Sequence, residues 1–222
     1  MSALEWYGVS KRYGTRVALQ AFSLAVAAGE RVALLGPSGC GKTTALRMLA
    51  GFEAPDSGAV RIDARTVSEN GRVLVAPEDR GLGMVFQDLA LWPHLSVRGN
   101  LEFGLKARRV PAAERERRIG EVLALVRLES ELALRPAELS GGQQQRAALA
   151  RALVGEPHAL LLDEPLSSLD PELRSELRAE IRALQARLGF TLILVTHDRE
   201  DAAELCSRVV MMQPPAKRGD PA

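Results

Sequence analysis

Apolar and polar positions along this chain do not follow one period. Short aliphatic runs alternate with longer stretches of helical spacing, the pattern of an α/β domain. Residues 4–9 and 22–26 are candidate strands, set off by turn signals at Tyr13-Gly14 and Ala28-Gly29. Residues 31–35 form a compact aliphatic strand that ends at Gly36, and good helix formers fill 43–50. A looser region, 56–80, carries turn signals at Asp56-Ser57-Gly58, Asn70-Gly71 and Pro77-Glu78-Asp79, separating short strands. Residues 82–86 are another strand candidate.

From 95 to about 134 the spacing becomes helical. Pro111 can open a helix, with the charged run 114–118 on its exposed side ahead of Ile119, Val122, Leu123 and Val126. This stretch reads as a helical insertion in the α/β core. Ser140 precedes a helix to about Val154, and 159–162 is a short buried strand ending in Asp163-Glu164-Pro165. Asp170-Pro171 opens the next helix with a capping side chain and a proline at its first position. It runs to about Leu188, with Leu173, Leu177, Ile181, Leu184 and Leu188 on one face. Strands follow at 190–196 and 208–212, and the tail 213–222 reads as disordered. No internal repeat is present.

Composition narrows the class. The 222 residues are 46% hydrophobic and 26% charged, ordinary for a globular domain, and with 4% aromatics the core must be aliphatic. A net charge of +1 gives no electrostatic case for nucleic acid. The two cysteines, Cys40 and Cys206, offer neither a disulfide framework nor zinc spacing, which fits a reducing compartment. No signal peptide and no apolar stretch of membrane-spanning length is seen, so a cytosolic protein is expected unless something else holds it at a membrane.

The chemistry concentrates in three places. Gly36-Pro37-Ser38-Gly39-Cys40-Gly41-Lys42-Thr43 fits the phosphate-binding loop G-x-x-x-x-G-K-[ST] between a strand and a helix. Its glycines let backbone N–H groups converge on phosphate oxygens, and the helix N-terminus adds a favourable dipole. Lys42 would meet the β- and γ-phosphates and Thr43 would ligate Mg²⁺. Cys40 occupies a free position and reads first as a tolerated small residue; a secondary expectation is that alkylation there inhibits ATP hydrolysis and that ATP protects. Asp163 and Glu164, ending a buried strand, suit metal orientation and polarisation of an attacking water. Ser140 can cap a helix that presents Gly141 and Gly142, a second anion site without a lysine.

Leu139-Ser140-Gly141-Gly142-Gln143-Gln144-Gln145-Arg146 resembles the signature motif of ATP-binding cassette (ABC) ATPases. The resemblance spans about 4–212 and implies a P-loop NTPase, RecA-like α/β core with an N-terminal antiparallel β subdomain and an inserted α-helical subdomain. The implied layout is one domain, 1–212, whose core is 1–88 and 156–212 and whose helical subdomain is 89–155. It further implies a head-to-tail dimer, homodimeric or with a paired ABC subunit, in which the signature of one protomer closes over ATP held by the other.

On that basis ATP and Mg²⁺ are the cofactors. Tyr13 is expected to stack on adenine; Gly36, Pro37, Ser38, Gly39, Cys40, Gly41, Lys42, Thr43 and Thr44 to hold phosphates; and Ser140, Gly141, Gly142 and Gln143 to complete the site from the partner. Thr43, Gln87 and Asp163 form the expected metal set, and Glu164, His197, Gln87 and Lys42 the catalytic set. Ser167-Ser168-Leu169-Asp170 resembles the segment that crosses the dimer interface.

The segment Phe86-Gln87-Asp88 through Leu105, with Pro77-Glu78-Asp79-Arg80-Gly81 before it, is similar to importer ATPases serving iron(III), polyamine, sulfate and sugar uptake. Their partners are integral membrane permease subunits and, indirectly, a periplasmic or extracellular substrate-binding protein. The implied location is peripheral, on the cytoplasmic face of the inner membrane, and an iron(III) or related small-ion cargo is favoured slightly. Many such ATPases continue into a C-terminal β-rich regulatory domain. Here the sequence stops at Ala222, which implies either a short form, like some thiamine-type ATPases, or a truncation. An exporter ATPase and a soluble ABC protein acting on nucleic acid or ribosomes are the alternatives.

Overall fold

A computed structural model describes residues 4–215. Two five-stranded sheets organise the chain. The antiparallel sheet has the order β2-β1-β4-β5-β6, built from β1 (Leu4–Tyr13), β2 (Arg16–Val26), β4 (Ser57–Ile62), β5 (Arg65–Glu69) and β6 (Arg72–Val73). The parallel sheet has the order β10-β3-β9-β8-β7, from β3 (Arg31–Leu35), β7 (Leu82–Val85), β8 (Ala159–Asp163), β9 (Thr191–Thr196) and β10 (Arg208–Met211). The inner strands β8 and β9 are buried at every position, as expected where helices and a second sheet cover both faces of a parallel sheet.

Helix α1 (Lys42–Ala50) lies between the sheets. Leu46, Met48 and Leu49 share one buried cluster with Leu4, Trp6 and Val60 of the antiparallel sheet and Leu161, Ile193 and Val195 of the parallel one. Trp6 Nε1 donates to Ala45 O at 2.9 Å, fixing the antiparallel sheet to the helix. Arg80 fastens the C-terminal end of α1. Its five N–H donors are taken by the carbonyls of Met48, Leu49, Val67 and Val75 and by Ser68 Oγ. Burial without a carboxylate pulls this guanidinium's pKa down to about 10, so it stays charged at neutral pH.

The opposite face of the parallel sheet carries α2 (Val97–Ala107), α3 (Ala112–Val126), α4 (Gly141–Leu153), α5 (Pro171–Leu188) and α6 (Arg199–Leu205), around a second cluster that includes Leu101, Val122, Leu149, Leu162, Leu177 and Leu194. Asp170 caps α5, its carboxylate accepting from Leu173 N at 3.0 Å, and Gly189 ends the helix at φ 72°.

Several expectations change in detail. β1 reaches Tyr13 and β2 begins at Arg16, so the hairpin is longer than its two apolar cores; register shifts along β1 break the alternation that would have shown it. Ser57-Gly58, read as a turn, lies inside β4, where Gly58 takes φ 82°. The helical stretch is two helices, α2 and α3, broken between Ala107 and Ala112; after Val126 only a short 3-10 turn at Pro136–Glu138 precedes α4. Leu188 is 46% exposed and leaves the apolar face of α5. Helix α6 was not anticipated. Residues 213–215 carry no regular element, and the rest of the expected tail, 216–222, lies outside the described residues, as do 1–3 of the expected domain.

Candidate functional site

The phosphate loop owes its shape to close approaches. A Cβ on Gly36 would lie 2.3 Å from Met212 O, and one on Gly41 would lie 2.4 Å from Ala18 O at φ 100°. Only glycine fits at either place. Because the helix cap is Gly41, no side chain occupies the first-turn N–H groups of α1, and no acidic residue sits in that turn. Those donors remain directed at an anion. Lys42 is buried along its stem, and its Nζ donates to Gly36 O at 2.7 Å and to Pro37 O at 3.1 Å, curling the loop around the ammonium.

Strand β8 brings its terminal acid beneath the loop. Thr43 Oγ1 donates to Asp163 Oδ1 at 2.9 Å, and burial raises the Asp163 pKa despite that bond. Glu164, one residue on, takes φ 49°, and its N–H donates to Val195 O at 2.9 Å. This turns its side chain toward the end of β9, where His197 Nδ1 lies 2.7 Å from Glu164 Oε2.

A cleft of about 360 Å³ gathers Tyr13, Ser38, Gly39, Gly41, Lys42, Thr43, Thr44, Gln87, Glu164 and His197, all anticipated from sequence. Gly36, Pro37 and Asp163 do not line the cleft: the first two reach it through the carbonyls that hold Lys42 Nζ, and Asp163 through Thr43. Cys40 does not line the cleft: it is 1% exposed, beside a small cavity shared with Leu19, Phe22, Met211 and Met212. Any contribution it makes to phosphate binding is through its backbone. Sequence reasoning missed Arg16, which lines the cleft and whose Nη2 donates to Gly39 O at 3.3 Å. No local pattern marked it: its place follows from the hairpin register, which sets Arg16 directly opposite Tyr13. The Tyr13 hydroxyl bonds Glu53, and its pKa is raised by burial and by that carboxylate.

The signature residues form a separate place. Ser140 Oγ accepts from Gln143 N at 3.3 Å while Ser140 N donates to Gln143 Oε1 at 2.9 Å, a reciprocal cap on α4. Gln143 Nε2 donates to Glu131 at 3.1 Å, so this side chain is committed within its own chain. Gly142 faces Leu173, whose Cδ1 would stand 2.9 Å from an added Cβ; Gly141 faces open space. Ser140 to Gln143 line a hollow with Ser168, Leu169 and Asp170 that shares no residue with the nucleotide cleft. Arg174 links that hollow's rim to the histidine loop, its Nη1 2.9 Å from Asp198 Oδ2 and its Nη2 3.4 Å from Ser167 O.

A strand–loop–helix phosphate-loop motif and, apart from it, a glycine-rich helix start that lines a separate hollow make up the arrangement of a nucleotide-binding cassette. The family model described as ABC transporter matches residues 19–167, and the chain belongs to that family. Among curated relatives, the spermidine/putrescine import ATP-binding protein PotA of Methylococcus capsulatus is 51% identical over 92% of this chain and 52% of its own length. The sn-glycerol-3-phosphate import ATP-binding protein UgpC 2 of Rhizobium johnstonii is 49% identical over 96% of this chain and 60% of its own. The chain thus spans little more than half the length of these relatives.

Among solved structures, the bacterial ABC transporter cassette MJ0796 in its dimeric form matches with a TM-score of 0.82 and 32% identity, covering 94% of each chain. A dimeric post-hydrolysis state of the same cassette, bound to ADP and Pi, matches with a TM-score of 0.81 at 32% identity, over 95% of this chain and 94% of that one. The α/β architecture of a P-loop core, with an antiparallel sheet beside it and helices inserted between β7 and β8, is that of an ABC cassette.

Proposed function

We propose that this chain is the ATP-hydrolysing subunit of an ABC importer, working as a head-to-tail dimer against separate membrane subunits. The observation that carries the hydrolytic part is the Glu164–His197 contact of 2.7 Å inside the cleft that also holds Lys42 and Thr43. Loop N–H groups and Lys42 bind the phosphates, Tyr13 offers a ring to the base, and Glu164 accepts a proton from the attacking water while His197 holds its carboxylate in place.

Thr43 and Asp163, whose side chains meet at 2.9 Å, suit Mg²⁺, a hard cation that takes one or two protein oxygens together with phosphate oxygens. When bound, the ion would neutralise charge on the β- and γ-phosphates. Gln87, in the same cleft, is the remaining candidate ligand. Among the described residues no group of three or more His, Cys, Asp or Glu forms a metal cage, which suits an ion held mainly through nucleotide.

Dimerisation is supported by the separation of the two glycine sites and by the dimeric cassettes this chain resembles. Ser140 and Gly141 of one copy would close the cleft of the other, and residues 89–155 would move as a unit against 1–88 and 156–212. The importer assignment is supported by the import subunits named above and by a groove of about 410 Å³ between β7 and the inserted helices. Its walls include Phe86, Trp92 and Leu105, with Phe52 at its rim 52% exposed, a surface suited to a short helix from a permease. No helix of the described residues is long and apolar enough to cross a membrane. Peripheral attachment through that groove, on the cytoplasmic face, belongs to the importer reading and rests on the import subunits named above. The cargo is one captured by an extracellular binding protein. The relatives are named for polyamine and glycerol phosphate, while an iron(III) cargo rests on motif similarity alone.

The test is Glu164→Gln. It keeps shape and removes the base, so ATP binding persists, hydrolysis falls by at least about 100-fold and a dimer accumulates with ATP. Phosphate release and light scattering measure both; a variant that turns over normally, or stays monomeric at saturating ATP, contradicts the assignment.

A further inference from the structure

Gln87 sits in a tight turn closed by Leu89 N donating to Phe86 O at 2.9 Å. The two residues that follow are strained: Leu89 has φ 59° and Ala90 has φ 47°, left-handed values that side chains with a Cβ seldom adopt. Such a pair persists only when its surroundings impose it. In extended backbone, successive carbonyls point to opposite sides; two consecutive left-handed residues swing them to the same side. One guanidinium takes both. Arg151 Nη2 donates to Leu89 O at 2.8 Å and its Nη1 to Ala90 O.

Two further contacts hold the arrangement. The Arg151 guanidinium lies 5.1 Å from the centre of the Trp92 ring, and buried Asn100 of α2 accepts from Trp92 N at 2.8 Å and donates to Trp92 O at 3.2 Å. Arg151 belongs to the last turn of α4, the helix whose first turn carries Ser140 and Gly141. A single rigid helix therefore joins the signature residues to the backbone next to Gln87.

We propose that Arg151 is a positioning residue acting through Gln87: by holding the Leu89–Ala90 backbone in its left-handed form it fixes the turn that presents Gln87 to the nucleotide cleft. This rests on Gln87 serving ATP turnover, and it makes α4 the strut by which a partner seated on the signature reaches the Gln87 turn.

The test is a double-mutant cycle on the full chain, read by steady-state ATP turnover. Arg151→Met lowers kcat by about tenfold with the KM for ATP within about twofold, because the phosphate loop is untouched, and in a Gln87→Ala background it lowers kcat by less than about twofold further. Arg151→Lys, which keeps the charge but reaches only one carbonyl at a time, gives an intermediate kcat and guards against loss of folding in the Met variant. Ala90→Gly, which accepts the left-handed conformation freely, shrinks the Arg151→Met loss. An Arg151→Met loss that multiplies in full onto Gln87→Ala, or a wild-type kcat in Arg151→Met, overturns the proposal. Unchanged turnover in Gln87→Ala removes the role of Gln87 itself, and the proposal with it.

Discussion

At the scale of single residues, the site depends on who is already bonded to whom. Glu164 and His197 have each other, Thr43 has Asp163, and Lys42 has the carbonyls of its own loop. The side-chain hydrogen bond of His197 goes to the Glu164 carboxylate, so its first effect falls on the base and not on the phosphate-binding loop. His197→Ala should therefore cut turnover by about tenfold or more, while ATP affinity stays within about threefold. Phosphate release and a fluorescent-nucleotide titration on one preparation check this, and wild-type turnover would remove His197 from the reaction. Residue types at fixed spacing pointed to Lys42, Thr43, Asp163 and Glu164, and the family's motif order pointed to His197; the fold then brings Thr43 to Asp163 and Glu164 to His197 across 120 and 33 residues of sequence. Arg16 was not legible, since its place in the cleft comes from hairpin register. Cys40 illustrates the opposite failure. The motif puts it in the loop, yet whether its sulfur meets the cleft or the core depends on β10 passing behind, which no local pattern records.

At the scale of elements, strands buried on both faces were the easiest to read, since β3, β8 and β9 are plain aliphatic runs. Elements shaped by register shifts or by short length were not: β2 extends past its apolar core, β4 swallows a turn signal, and α6 is only seven residues long. The junction of β7 and β8 carries a titratable group that pattern could not price. His158, just before β8, packs its ring where a side chain on Gly81 would otherwise stand, with Nε2 buried and unbonded among the described residues. Burial lowers its pKa, with Asp63 opposing more weakly. The folded value thus lies below the unfolded one of about 6.5, and as pH falls the unfolded chain takes the proton first. Stability is complete above that value and is lost as pH falls through the window down to the folded pKa. His158→Phe should make the drop in melting temperature between about pH 7.5 and about pH 5.5 smaller than in wild type. An equal drop in both proteins would mean that His158 is charged as easily folded as unfolded.

At the scale of the whole molecule, the two signature glycines stand in different surroundings. Gly142 answers to its own fold, because Leu173 of α5 fills the space that a Cβ would need. Gly141 does not. Nothing lies within 4 Å of a Cβ placed there, and its residue opens α4, where a carboxylate complements the helix dipole. An aspartate at 141 should therefore leave the isolated chain as stable as before, within about 0.5 kcal/mol, and leave ATP binding to Lys42 and the loop unchanged. If Gly141 closes over the γ-phosphate of a partner, the same substitution sets a negative charge against the triphosphate. Gly141→Asp then abolishes ATP-dependent dimerisation and lowers turnover by more than about tenfold. Melting temperature, nucleotide titration and light scattering on one sample separate the two cases. Loss of stability together with activity would make Gly141 an ordinary structural glycine, whereas loss of dimer and turnover from a fully stable, ATP-binding chain can arise only at a surface that a second copy completes.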